Sequence, residues 1–162
     1  MRNGISVRVQ NLPGVLSHVA GMLAARAYNV DSLTVGETED PRFSRMTIVV
    51  DMEPELAAQV KLQLQKLVTV VETENLSEKP HVERELALIR VAATPEERSG
   101  VLELTTIFRA KVVDVAANSL LVEITGDSAT LDAFIAALTP YKVVGLTRSG
   151  CIAAPRGDVD LK

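Results

Sequence analysis

The chain has 162 residues, 47% of them hydrophobic, enough to bury one ordinary core or two small ones that share surface. Lys and Arg number 17 against 21 Asp and Glu, so a formal net charge of −4 supplies no overall field to draw in nucleic acid or an anionic membrane. The opening MRNGISVRVQ lacks the unbroken apolar core of a signal peptide, no run reaches bilayer-spanning length, and the single Cys151 has no mate for an intrachain disulfide; these features point to the reducing cytoplasm and away from membranes.

Residues 4–10, GISVRVQ, put Ile5, Val7 and Val9 on one face and polar side chains on the other, which predicts a half-buried strand. From Pro13 the period changes to that of a helix, with Val15, Leu16, Val19, Met22 and Leu23 on its apolar stripe over about four turns. Leu33 and Val35 alternate with polar neighbours, a turn is signalled at Asp40-Pro41, and FSRMTIVVD supplies Met46, Ile48 and Val50, so a hairpin is predicted. A helix over EPELAAQVKLQLQKL, with Leu56, Val60, Leu64 and Leu67 on one stripe, and a short strand TVVETEN complete the order β-α-β-β-α-β. A second copy follows: LALIRVAA, a helix opened by the capping box Thr94-Pro95-Glu96-Glu97, KVVDVAA, a turn at Asn118-Ser119, LLVEITG, a helix over SATLDAFIAAL and a strand near KVVGLTRSG. The fold class is therefore α+β, two ferredoxin-like βαββαβ domains in tandem, over residues 1–76 and 85–162, with a linker at 77–84 marked by charges, Pro80 and lost periodicity.

Catalytic chemistry is sparsely provided. His18 falls on the first helix and His81 in the linker, both best read as surface or partner-contacting histidines, and Cys151 reads as a buried inert thiol. No catalytic residue, phosphate loop, dinucleotide fingerprint or metal-ligand spacing is present. The few aromatics do not form the stacking pair that a sheet needs to bind RNA.

One segment does carry binding chemistry. In Asn11-Leu12-Pro13-Gly14-Val15-Leu16 a strand breaks just before a helix, which can be a plain turn. It can also be a site, because the N–H groups of Gly14, Val15 and Leu16 lie at a helix N-terminus, where helix geometry leaves them to receive a carboxylate, and Gly14 lets a ligand approach the backbone. Asn11 adds a side-chain donor and acceptor beside the loop, a combination suited to a zwitterion. Val15 and Leu16 either wall a pocket for a short aliphatic side chain or enter the core, and the sequence leaves both open.

The NLPGVL loop resembles the ligand loop of ACT domains, which bind amino acids and regulate metabolic enzymes. RAYNVDSLTVGETEDPRFSRMTIVV, HVERELALIRV, IFRAKVVDVAANSLLVEITGDSATLDAFIAAL and RSGCIAAPRG extend the resemblance over nearly the whole chain to the small regulatory subunits of acetolactate synthase. Two departures are Ala27, where the family usually has glycine, and RSG in place of the commoner RTG. The resemblance implies a first domain of the ACT type and a non-catalytic homodimer that holds no cofactor itself. It implies a catalytic large subunit that carries thiamine diphosphate, FAD and magnesium, and a branched-chain effector, valine foremost. It also implies an effector site built from Asn11, Gly14, Val15 and Leu16 of one chain with Asn29 and Val30 of its mate. A two-fold dimer would bring each loop to the far end of the paired helix. The second domain has Ala93-Thr94-Pro95-Glu96 at the equivalent place, whose carboxylate would repel a ligand carboxylate, so packing and communication are expected of it. The alternative from another class is a free-standing tandem ACT sensor acting on transcription or on a different enzyme.

Overall fold

The computed structural model describes residues 2–157 and divides into two units. In the first, β1 (Arg2–Gln10), α1 (Val15–Ala25), β2 (Ser32–Glu37), β3 (Phe43–Asp51), α2 (Pro54–Leu64) and β4 (Val70–Asn75) form an antiparallel sheet in the order β2-β3-β1-β4. The period-2 pattern of β1 and β3 is realised in register, Ile5 opposite Ile48 and Val7 opposite Met46, so one sheet face is apolar. Val15, Val19 and Leu23 of α1 and Ala57, Val60 and Leu64 of α2 close over that face, and all are buried. Each of these valines and leucines contributes about 1.5–3 kcal/mol of transfer free energy.

The second unit contains β5 (His81–Ala92), α3 (Arg98–Ile107), β6 (Lys111–Ala116), β7 (Ser119–Gly126), α4 (Ser128–Ala137) and β8 (Lys142–Arg148), with strand order β6-β7-β5-β8. Its core joins Ile89, Val91, Leu120, Val122 and Leu131 with Phe134, whose ring lies 5.2 Å from that of Phe108. Beside this core Arg148 makes a two-pronged ion pair with Glu85 at 2.8 and 2.7 Å and reaches Asp132 on α4 at 3.0 Å. These contacts raise the Arg148 pKa, hydrogen bonding to Glu85 foremost. Two ferredoxin-like units of the expected order are thus present.

Several details differ from the sequence expectation. The helix after the first strand has 11 residues, and Leu16 faces outward, 47% exposed. On α2 the buried stripe runs through Ala57, and Leu56 is turned out. Thr94 N–H does donate to Glu97 Oε2 at 3.0 Å, but residues 95–97 wind a turn and α3 starts only at Arg98. The stretch expected as a linker holds a single 3₁₀ turn, Leu76–Glu78, and the start of β5. Finally, residues from Cys151 on belong with the first unit, which spans 1–82 and resumes at 151, so the second unit is 83–150 rather than 85–162. A ninth strand, β9 (Ile152–Pro155), pairs with β5, and next to it Arg156 N–H donates to Pro80 O at 2.8 Å. Asp158 to Lys162 of the expected second domain lie outside the described residues.

Candidate functional site

The end of β1 is pinned by two backbone bonds, Gln10 N–H to Thr69 O at 2.9 Å and Asn11 N–H to Arg42 O at 2.8 Å. The chain then turns through Leu12-Pro13 into Gly14, the N-cap of α1, at φ 85° and ψ −9°. A side chain built on Gly14 would meet nothing within 4 Å, so glycine is required here by the backbone angle and the space above it is open. No side chain caps α1, and the first turn holds no acidic residue to occupy the positive end of the helix. Val15 N–H makes a long bond to Leu12 O at 3.4 Å, whereas the Gly14 and Leu16 N–H groups have no backbone acceptor among the described residues. Of the expected donor set, the Gly14 and Leu16 N–H groups are therefore the ones left unused at the helix start.

Asn11 is exposed, and both of its amide hydrogens are used: Nδ2 donates to Glu37 Oε1 at 3.1 Å and to Pro41 O at 3.0 Å. What the side chain still offers is Oδ1, an acceptor suited to an ammonium group. Glu37 and Pro41 are thus positioning groups that the sequence did not reveal, since only the β2–β3 hairpin brings them to the loop.

Val15 is only 4% exposed and packs among the core residues, so its side chain holds the helix to the sheet and does not wall a pocket. Leu16 is the apolar side chain that stands beside the loop. Asn29 is exposed and Val30 half-buried, and Val30 lines an apolar cleft of about 350 Å³ with Ala20, Leu23, Ala24, Tyr28 and Leu33. Within one chain Asn11, Gly14 and Leu16 lie at one end of α1, while Asn29 and Val30 follow its other end. An 11-residue helix separates them by about 16 Å.

The far end of α1 is closed by Ala27, whose N–H donates to Ala24 O at 3.0 Å while Tyr28 N–H donates to Leu23 O at 3.1 Å. This paired pattern places Ala27 in the left-handed region, φ 54°, where glycine is the usual occupant. Arg109 closes α3 in the same way at φ 56°. Elsewhere, His18 is exposed on α1, His81 Nδ1 lies 2.9 Å from Lys79 O, and Cys151 is buried. Among the described residues no group of three His, Cys, Asp or Glu side chains could hold a metal ion, and no helix is long and apolar enough to cross a membrane. At the corresponding strand end of the second unit the cleft is lined by Thr94, Glu97, Asn118, Tyr141 and Lys142, with no left-handed glycine to open the helix.

A ferredoxin-like unit whose first strand ends in an open, glycine-capped helix start, followed by a second unit of the same order, defines a tandem protein led by an ACT-type domain. Family models agree in both halves: residues 5–72 match the AHAS small subunit-like ACT domain, and residues 84–157 match the small subunit of acetolactate synthase. The chain is 46% identical to the probable acetolactate synthase small subunit of Archaeoglobus fulgidus, covering 98% of this chain and 99% of that one. It is 40% identical to the acetolactate synthase isozyme 3 small subunit of Escherichia coli, covering 98% of both. The crystal structure of the small subunit from Thermotoga maritima superposes with a TM-score of 0.86 at 38% identity, covering 98% of this chain and 99% of that chain. The chain belongs to the family of acetolactate synthase small subunits.

Proposed function

We propose that the chain is the regulatory subunit of an acetolactate synthase, working in the cytoplasm, where it raises the activity of a catalytic large subunit and makes it sensitive to valine. The reaction, condensation of pyruvate with a second 2-oxo acid on the way to the branched-chain amino acids, is performed by that large subunit with its thiamine diphosphate, FAD and magnesium. The small subunit contributes no catalytic group and holds no cofactor. The observation that carries this reading is the open turn at Gly14: left-handed backbone, empty space above it, and the Gly14 and Leu16 N–H groups unused at a helix start. A carboxylate fits those donors, Asn11 Oδ1 fits the ammonium, and Leu16 fits a short aliphatic side chain.

The second half of the site, Asn29 and Val30, is supplied in this reading by a second copy. Support comes from the outer face of α1, where Ser17, Ala20, Gly21 and Ala24 are exposed and small enough to admit another helix closely, and from β2, an edge strand. A ligand bridging two chains biases their arrangement only by its difference in affinity between two states, typically about 1–3 kcal/mol of coupling. The test is to mix the chain with its purified catalytic subunit, assay with and without valine, and titrate valine calorimetrically. Activation, valine inhibition and valine binding, with none for aspartate or lysine, are expected. A catalytic subunit indifferent to the chain would overturn the reading.

A further inference from the structure

The sheet face of the first unit that points away from its helices is closed at one end. Ser32 and Thr34 of β2 bond the backbone of Cys151, and Ser6 and Thr47 on the same face are only 2% and 4% exposed. At the other end of that face Arg8 of β1 stands directly opposite Arg45 of β3. Like charges facing each other across an antiparallel pair are unfavourable, so their surroundings decide whether the charge is neutralised within the chain.

Among the described residues no acid forms an ion pair with Arg8 or Arg45, although, beside Arg42, the charge of Arg8 helps to hold the Asp40 carboxyl down. Asp40 grips Arg42 at 2.6 Å, and hydrogen bonds from the Arg42 side chain and backbone hold its carboxyl down at about 2. On β4, Glu72 is the register partner of Arg8 but forms no ion pair with it among the described residues. Glu74 bonds Lys79 at 2.8 Å, and the Lys79 pKa is raised by Glu74 first and then by Glu72 and Glu78. Arg45 Nη1 donates to the hydroxyl of Ser6 at 2.9 Å, a neutral acceptor. Arg8 lies over the Phe43 ring at 4.3 Å, its Nε shielded from solvent without a hydrogen-bond acceptor among the described residues. A guanidinium already stacked and partly dehydrated loses little on being covered, and such arginines are favoured at the centres of protein interfaces.

We propose that the Arg8–Phe43–Arg45 end of this face is a docking surface for an acidic segment of the catalytic large subunit. The inference rests on the chain acting as one part of a two-subunit synthase. Charge selects the occupant. A second copy placed face to face by a two-fold axis would bring four arginines together, and a nucleic acid needs a longer basic stripe than the Arg8–Arg45 pair on a chain of net charge −4, whereas that pair matches one or two carboxylates. A carboxylate-bearing segment neutralises the Arg8–Arg45 repulsion.

Arg8→Glu separates a docking role from a structural one. Opposite Arg45 it converts repulsion into attraction, while opposite Glu72 it does the reverse and gives up the stack on Phe43, so these effects offset and the variant should fold with a Tm close to that of wild type. Its affinity for the purified catalytic subunit, measured calorimetrically, should fall by about tenfold or more, and that of neutral Arg8→Gln by less. Wild-type affinity should weaken as salt rises from about 50 to about 200 mM, and valine affinity should be the same in all three proteins. Binding of the catalytic subunit by Arg8→Glu with wild-type affinity would overturn the surface, as would a drop in Tm that accounts for the loss or a change confined to self-association. Failure of the wild-type chain to bind the catalytic subunit at any salt would overturn the functional reading as well.

Discussion

Thr34 Oγ1 donates to the carbonyl of Cys151 at 2.9 Å, and the amide of Cys151 donates in turn to Ser32 Oγ at 3.0 Å, so both backbone groups of one residue are held by hydroxyls of the edge strand β2. Sequence separations of 117 and 119 residues make this clamp a tertiary device. It holds the C-terminal segment on the same strand that Asn29 and Val30 lead into, next to the expected effector position. Removing both hydroxyls with Ser32→Ala and Thr34→Val forfeits two hydrogen bonds of about 1 kcal/mol each and should raise the open population of the segment by up to roughly thirtyfold. Cys151 is the single cysteine and is 4% exposed, so its rate of reaction with a thiol reagent reads that opening. A double variant that reacts no faster than wild type would show that β9 and Arg156 hold the segment without the clamp.

Ala27 sits at φ 54° where an L-residue is strained by about 1–2 kcal/mol. Replacing it with glycine removes that strain and adds back some unfolded-state entropy, so a net gain of about 0.5–1 kcal/mol is expected. Arg109→Gly, at φ 56° in the other unit, should behave alike and add independently. Urea unfolding of the single and double variants checks both values, and destabilisation by either glycine would contradict the strain assignment.

The two βαββαβ patterns were legible because alternation on β1 and β3 and the helical stripes of α1 and α2 are local signals, and the structure realises them with Ile5, Val7, Met46 and Val60 buried. The loop at Gly14 was legible for a similar reason, since Pro-Gly before an apolar helical stripe punctuates a strand-to-helix change. Val15 could not be assigned, because an apolar residue in a first helical turn serves a pocket or a core equally well until the helix orientation is known. The start of β5 was hidden by its composition: His81, Glu83 and Arg84 show no alternation. β9 itself, Ile-Ala-Ala-Pro, is too short to show a period. Asn11 was recognised as a candidate, but its orientation by Glu37 and Pro41 depends on a hairpin that sequence spacing does not place.

Gly21 lies mid-helix on the exposed face of α1, and a side chain built there meets nothing within 4 Å of its own chain. Gly21→Lys should therefore improve the isolated helix by about 0.5–1 kcal/mol. If α1 meets a second copy across this face, the same change places a long cation in a close contact, and the protein should become monomeric while keeping its secondary structure. Light scattering gives the mass, and calorimetry gives the valine response, which should be lost together with the dimer. A Gly21→Lys protein that stays dimeric with normal valine binding would remove α1 from the interface.

At Gly14 the two requirements, backbone and charge, can be separated. The residue is left-handed at φ 85° with open space around it, and aspartate and asparagine are the side chains that enter that region most readily after glycine. Gly14→Asp and Gly14→Asn have nearly the same shape and carry the same backbone cost, so any difference between them is the carboxylate. Aspartate would place its own negative charge at the Gly14 and Leu16 N–H groups, where the ligand carboxylate is expected. A charge-assisted hydrogen bond is worth about 1.5–3 kcal/mol, so Gly14→Asp should weaken valine binding by roughly 10- to 150-fold or abolish it, with repulsion adding to the loss. Gly14→Asn should retain measurable binding. Calorimetric titration of both variants with valine, alongside circular dichroism to confirm the fold, decides the matter. Equal affinities for the two variants would mean that no carboxylate docks at this helix start, and wild-type affinity in both would move the effector site away from the loop altogether.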